Sequence, residues 1–311
     1  MRQNQSVRPG LGASFVFTAF RRLERILSPT ALHRLMSPLV SARVAFKRVR
    51  SSMPLPGCLG EGKTFRISSQ QLQKNHLNVM LEFFPDRLGT AKWRDHLRIS
   101  GVEHLEAARQ QKHPIILAFC HFGPYFLLRH WLRAAGFPAV FLVGGKSKSR
   151  SAMKRLADGI SPFPEIPTAL YREDQLRGVI EFVAAGNPLL IAVDVPIGKQ
   201  MDVPVDEQWR FGMASGAVRV ALRQQAELIP CSIIDEGNWH FQIKIGPPVP
   251  QEIVRSGDTL RAGKYILDAL LPEWRAHPEQ CTERLVKLFQ KVNVRNNPSH
   301  EFSRSDQFVA G

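Results

Sequence analysis

Residues 114–136 read PIILAFCHFGPYFLLRHWLRAAG. After Pro114 an unbroken apolar run, Ile115 to Cys120, stops at one polar side chain, His121. A run of this length without alternation is what a strand buried on both faces requires, and such strands belong to parallel sheets. Gly123 and Pro124 then turn the chain. Beyond them Phe126, Leu127, His130, Trp131 and Ala134 recur at helical spacing, up to a glycine, Gly136, where a helix C-cap is expected. The stretch reads as strand, tight turn and helix. In an open parallel sheet, ligands bind at the carboxyl ends of the strands, so His121 falls at the rim where chemistry is usually found.

The same alternation runs outward in both directions. Toward the C-terminus, Ala139 to Val143 is a short strand, Ser149 to Leu156 a basic helix, Glu173 to Ala185 a helix, and Pro188 to Val193 a second wholly apolar strand ending on Asp194. A Pro-, Gly- and Asp-rich loop is expected from Val195 to Met213. It is followed by a helix to Ala226, strands Leu228 to Ile234 and His240 to Ile245, and helices near Leu260 to Ala276 and Glu279 to Val292. Toward the N-terminus, helices are expected at Val102 to Gln110 and from Ser68 toward Phe84, stopped at Pro85. The Ser-, Pro- and Gly-rich stretch 51–66 reads as linker or loop. Strands alternating with helices predict an α/β fold, a mostly parallel central sheet flanked by helices. The expected organisation is a basic amphipathic helical arm and linker over 1–66, the α/β domain over 67–295 and a polar tail over 296–311.

Composition narrows the classes. The 311 residues are 44% hydrophobic and carry a formal net charge of +15. Within the first 50 residues, ten basic side chains stand against a single acid, Glu24. Between them Phe15, Phe20, Leu23, Ile26 and Leu27, then Leu32, Leu35, Met36, Leu39 and Val40, recur three and four apart. This is the pattern of basic amphipathic helices, expected to break at Pro29 and Pro38. Such helices either lie on an anionic membrane surface or pack one face on the domain. A nucleic-acid arm rests on charge alone and is not expected, because the aromatics gather on the apolar side instead of interleaving with the basic residues.

No run reaches the ~18 consecutive apolar residues of a spanning helix. The run from Ala13 to Phe20 is too short, and too quickly followed by Arg21 and Arg22, to read as a signal peptide. The expected location is therefore the cytosol or the inner face of a membrane. Four cysteines, Cys58, Cys120, Cys231 and Cys281, stand without a C-x-x-C pair, which suggests neither a zinc site nor a disulfide framework and fits a reducing compartment. No metal-binding triplet or P-loop is present, and no cofactor is implied.

The residues able to do chemistry gather near strand ends. His121 and Asp194 close the two wholly apolar strands, so a parallel sheet brings both side chains to one rim. Asp194 has other uses open to it: capping its loop, or pairing with Lys199 or Arg210. Cys120 points to the opposite face from His121 and reads as core. The long connection after Asp194 reads as a binding loop carrying Gly198, Lys199, Asp202, Asp206 and Arg210. A basic run, Lys146, Lys148, Arg150, Lys154 and Arg155, suits a phosphate or an acidic carrier protein, or is simply a solvated face.

The order of these segments resembles the bacterial lipid A biosynthesis acyltransferases, within the wider lysophospholipid acyltransferase superfamily. VEHLEAARQQKHPIILAFCHFGPYFLLRHWL is similar to that family's helix, strand and active-site turn, where His121, Phe122 and Gly123 match a turn that typically reads His-Phe-Gly-Asn-x-Glu. REDQLRGVIEFVAAGNPLLIAVDVPIG resembles its Asp-bearing strand, and MDVPVDEQWRFGMASGAVRVALRQQAELIPCSI its Pro-rich loop, helix and following strand. RAHPEQCTERL is similar to a His-Pro-Glu-Gln-Trp segment, with Cys281 in place of the tryptophan. The likeness covers roughly residues 75–285.

The resemblance implies transfer of a fatty acyl chain from an acyl carrier protein or acyl-CoA to a hydroxyl or amine of a lipid-like acceptor. The site would be a membrane surface, with a peripheral location on the cytoplasmic face of the inner membrane. It implies His121 as general base, with Phe122, Gly123, Tyr125, Lys146, Arg150, Lys199 and Arg210 as candidates for substrate binding. One position departs: the family's histidine is followed after four residues by Asp or Glu, and here that position is Phe126. No Asp or Glu lies between His121 and Gly136, which makes Asp194 the leading replacement, provided it comes within about 2.6–3.2 Å of an imidazole nitrogen. The alternative is a catalytically impaired relative that binds an acyl chain or lipid without transferring it.

Overall fold

The structure, a computed structural model, describes residues 11–45, 52–66, 68–83, 87–144, 166–168, 173–195 and 199–292. Two helices open it, α1 (Leu11–Ile26) and α2 (Pro29–Ala45). Strands β1 (Ser52–Pro54) and β2 (Thr64–Arg66) follow as an antiparallel pair. The main sheet uses β3 (Leu97–Ser100), β4 (Ile115–Phe119), β5 (Val140–Gly144), β6 (Ile166–Thr168) and β7 (Leu189–Ala192). Between β7 and the last two strands of that sheet stand β8 (Gln200–Pro204) and β9 (Trp209–Ala214). Then come β10 (Glu227–Gly237) and β11 (His240–Ile245), and finally β12 (Phe289–Lys291). The seven-stranded order is β3-β11-β10-β4-β7-β5-β6, and β8, β9 and β12 form a second sheet. Every neighbouring pair of the large sheet is parallel except β10 with β11.

Both faces of the large sheet are covered, which is why β4 and β7 are apolar at every position. Ile116, Ala118 and Cys120 enter one core with helices Gly216–Gln224 and Thr259–Ala276. Ile115, Leu117 and Phe119 enter the other with α2 and helices Ser69–Met80, Val102–Gln110 and Leu128–Ala134. Helix Glu173–Ala184 leads into β7.

The N-terminal helices pack on this second core through Phe20, Leu32, Val40 and Val44. Glu24, the lone acid among the first 50 residues, is fully buried and accepts from Trp93 Nε1 at 3.0 Å and Arg87 Nε at 3.2 Å, with Lys92 Nζ at 3.4 Å. The chain does break at Pro29, but α2 passes through Pro38. Proline leaves the carbonyl four residues earlier without its helical donor, and Pro38 and Arg34 are both exposed, on a side of the helix where solvent can satisfy that carbonyl.

Three other expectations are corrected. The stretch 51–66 is no linker: β1 and β2 flank a short helix, Gly57–Gly60, and Leu55, Leu59 and Phe65 are buried in the first core. Its Ser, Pro and Gly residues mark tight turns between anchored apolar ones. The expected loop 195–213 holds the hairpin β8–β9, in which Met201 and Val203, then Trp209, Phe211 and Met213, recur at every second position. The expected helix over 279–292 is a 3-10 turn (Pro278–Gln280), a short helix (Glu283–Lys287) and β12. Cys281 and Thr282 are extended there, and the Thr282 side chain caps the new helix by accepting from Leu285 N. The helix expected at Ser149 to Leu156 lies outside the described residues.

Candidate active site

Registers fix what meets at the rim. β4 and β7 pair from Ile116 with Leu189 to Phe119 with Ala192. Carried two residues further, past the last strand positions, that register sets His121 opposite Asp194. Both residues continue the same pleat face, that of Phe119 and Ala192. The chains remain side by side there, with Val193 N donating to Phe119 O at 2.8 Å.

Asp194 is fully buried, and both its oxygens are used by His121: Oδ1 lies 2.8 Å from Nδ1, and Oδ2 accepts the His121 backbone N–H at 2.9 Å. A carboxylate accepting at Nδ1 places the imidazole proton there and leaves Nε2 as the basic nitrogen. The His121 side chain keeps 20% exposure, so that nitrogen is not sealed in the core. Tyr125 packs edge-on against the imidazole, with ring centroids 4.4 Å apart, and stacks on Phe119. These contacts restrict the ring's rotation from the side that Asp194 does not hold.

The turn itself is pinned. Gly123 has a φ of +55°, and a Cβ there would lie 2.3 Å from the carbonyl oxygen of Ile233, so only glycine fits. Phe122 is 1% exposed and forms an isolated antiparallel bridge with Cys281. Its side chain belongs to the first core and holds the turn down. A cleft of about 370 Å³ opens beside the turn, walled by Gly123, Tyr125, Phe126, Glu82, Gln280 and Thr282. Phe126, the residue four places after His121, lines that cleft as well.

Other predicted residues fall elsewhere. Lys199 is exposed, and its carbonyl accepts from Ser215 N at 3.0 Å and Ser215 Oγ at 2.9 Å, so its backbone has a structural task. Arg210 is exposed on β9, in the smaller sheet, paired with Gln290. Neither pairs with Asp194, whose oxygens are on His121. Lys146, Arg150 and the rest of that basic run lie outside the described residues. Three cysteines distant in sequence come close enough for Cys120 to sense Cys231 and Cys281. Burial, and then Asp194, push the Cys120 thiol well above its ordinary pKa, which removes it as a nucleophile. Among the described residues no cluster of three potential metal ligands occurs, and no helix is long and apolar enough to cross a membrane.

A buried carboxylate fixing the tautomer of a partly open histidine, at the carboxyl edge of an α/β sheet, is chemically able to remove a proton from a hydroxyl or amine. Residues 77–298 match the family described as bacterial lipid A biosynthesis acyltransferase, and the chain belongs to that family. No curated protein matches the sequence.

Proposed function

We propose that this acyltransferase-family protein moves a fatty acyl chain from an acyl thioester, on acyl carrier protein or coenzyme A, to a hydroxyl or amine of a lipid-like acceptor. His121 Nε2 takes the acceptor's proton as its oxygen or nitrogen attacks the thioester carbonyl. The tetrahedral intermediate collapses with cleavage of the carbon–sulfur bond, and the imidazolium returns its proton to the leaving thiolate. Asp194 holds the tautomer and stabilises the imidazolium. The observation that carries this is the 2.8 Å contact of Asp194 with His121 Nδ1, which supplies from β7 the carboxylate that Phe126 lacks.

The reaction is assigned to an anionic membrane surface, with the protein peripheral on the cytoplasmic face of the inner membrane. Supporting this, the outer side of the α1–α2 hairpin exposes Ile26 (80%), Leu35 (46%) and Leu39 (61%) beside exposed Arg22, Arg25 and Arg34. With Glu24 buried, the charges left on that side are all positive.

The test is purified protein incubated with acyl carrier protein thioesters or acyl-CoA and extracted bacterial lipids, with products read by mass spectrometry. Acyl transfer that disappears in His121→Ala is expected. Acyl-chain binding with no turnover would instead favour the non-catalytic relative that Phe126 brings to mind.

A further inference from the structure

β4 and β10 pair as far as Ala118 with Pro230, yet β10 runs on to Gly237. The edge of β10 beyond that point carries backbone groups that need partners inside the protein. A side chain supplies them. Gln280, 5% exposed, accepts the Asp235 N–H on Oε1 at 2.9 Å and donates from Nε2 to the Asp235 carbonyl at 2.9 Å. A carboxamide carries the same donor and acceptor as a peptide group, so Gln280 serves as one residue of the missing neighbouring strand. Its main-chain carbonyl in turn accepts the Gly123 N–H at 3.0 Å, and the next residue, Cys281, bridges to Phe122.

Asp235 is itself fixed. Its carboxylate accepts from Asn78 Nδ2 at 2.7 Å and from Gly237 N at 2.7 Å. The turn bearing His121 is therefore held from two sides, by Asp194 on the β7 side and by Gln280 on the β10 side. We propose that Gln280 is a positioning residue for acyl transfer, clamping Gly123 to the end of β10 so that the imidazole keeps its place on Asp194. This rests on His121 being the general base. A displacement near 1 Å at such a group can cost on the order of 10²-fold in rate.

The clamp is tested with Gln280→Leu, which removes both side-chain bonds, and the isosteric Gln280→Glu, which removes only the donor and sets a carboxylate against the Asp235 carbonyl. The first reading is the imidazole Nδ1–H resonance of His121 in histidine-labelled protein, assigned by its loss in His121→Ala. In folded variants it should shift or broaden. The rate constant kcat should fall about 10- to 100-fold, while KM for the acyl donor stays within about twofold. A variant that melts like the wild type and keeps both the resonance and kcat overturns the proposal.

A third reading needs no variant. The Gly123 amide of the wild-type protein should exchange as slowly as that of Ile229 inside β10, and rapid exchange overturns the clamp. Absence of acyl transfer by the wild-type protein would refute the proposed function and leave the resonance and exchange readings to decide the clamp.

Discussion

Two groups of histidines sit along the same edge of the large sheet and differ in what their ring nitrogens meet. At one end His121 has a buried carboxylate on Nδ1. At the other, His96 just before β3 stacks on His240 at the start of β11, centroids 4.2 Å apart, and its Nδ1 meets the Trp239 carbonyl at 3.1 Å. His33 of α2 adds an edge-on contact with Trp239. Of the acids near this second group, Asp235 has its oxygens on Asn78 and Gly237, Glu236 pairs with Arg98, and Asp95 directly precedes His96 in the chain. The second group borders a cleft of about 430 Å³, no smaller than the one beside Tyr125. Number of histidines and size of cleft would thus select the other end. What sets His121 apart from them is a carboxylate whose two oxygens, among the described residues, both serve it.

The sharpest break of this comparison is mutational. Asp194→Asn and His121→Ala should each lower acyl transfer by on the order of 10³- to 10⁴-fold, and the double variant should lose little more, since residues acting as a unit are non-additive. His96→Gln and His240→Gln should leave the rate within about twofold. Initial rates, with melting curves to confirm folding, decide it. Additive losses at His121 and Asp194, or a collapse at His96, would erase the distinction.

A smaller effect is expected on the outer stripe of α2. Replacing both Leu35 and Leu39 by Glu removes two exposed apolar side chains from the proposed bilayer contact. Co-sedimentation with anionic vesicles should weaken by about tenfold or more, with the melting temperature unchanged. Unaltered sedimentation would leave the outer stripe of α2 without that partner.

The smallest effect belongs to the second histidine group. Burial lowers the pKa of His33 and of His96; Asp235 opposes it at His33, Asp95 and the Trp239 carbonyl oppose it at His96, and the neighbouring histidines add to the lowering. A folded pKa below the unfolded value of about 6.5 means that the unfolded chain binds more protons in the window between the two. Stability from these groups is full above about pH 6.5 and is lost as pH falls through that window. Protection factors in α2, corrected for the intrinsic pH dependence of amide exchange, should fall at pH 5 relative to pH 7.5, and less so in His33→Asn. Equal acid sensitivity of the two proteins would place the titrating group elsewhere.

Much of this was written in local pattern. Strand, turn and helix over 114–136, the apolar strand before Asp194 and the helix at Val102–Gln110 follow from run length and periodicity. β8 and β9 were legible in principle, because Met201, Val203, Phe211 and Met213 alternate, but the Pro, Gly and Asp between them read more loudly as loop. The reach of α2 through Pro38 was not legible: it depends on burial of Leu32, Val40 and Val44 against the second core, which outweighs one lost hydrogen bond. Gln280 stood in the sequence only as the glutamine of the His-Pro-Glu-Gln stretch, with no role attached, since a glutamine standing in for a strand residue is defined only by the strand edge it completes.

The sequence by itself determined that two fully apolar strands end on His121 and Asp194 and that Gly123 follows in a turn. These are properties of neighbours along the chain. Only the tertiary structure decided that the two polar ends meet, because the β4–β7 register is set by packing on both faces of the sheet. A slip of one residue would turn the Asp194 carboxylate to the opposite face from the imidazole.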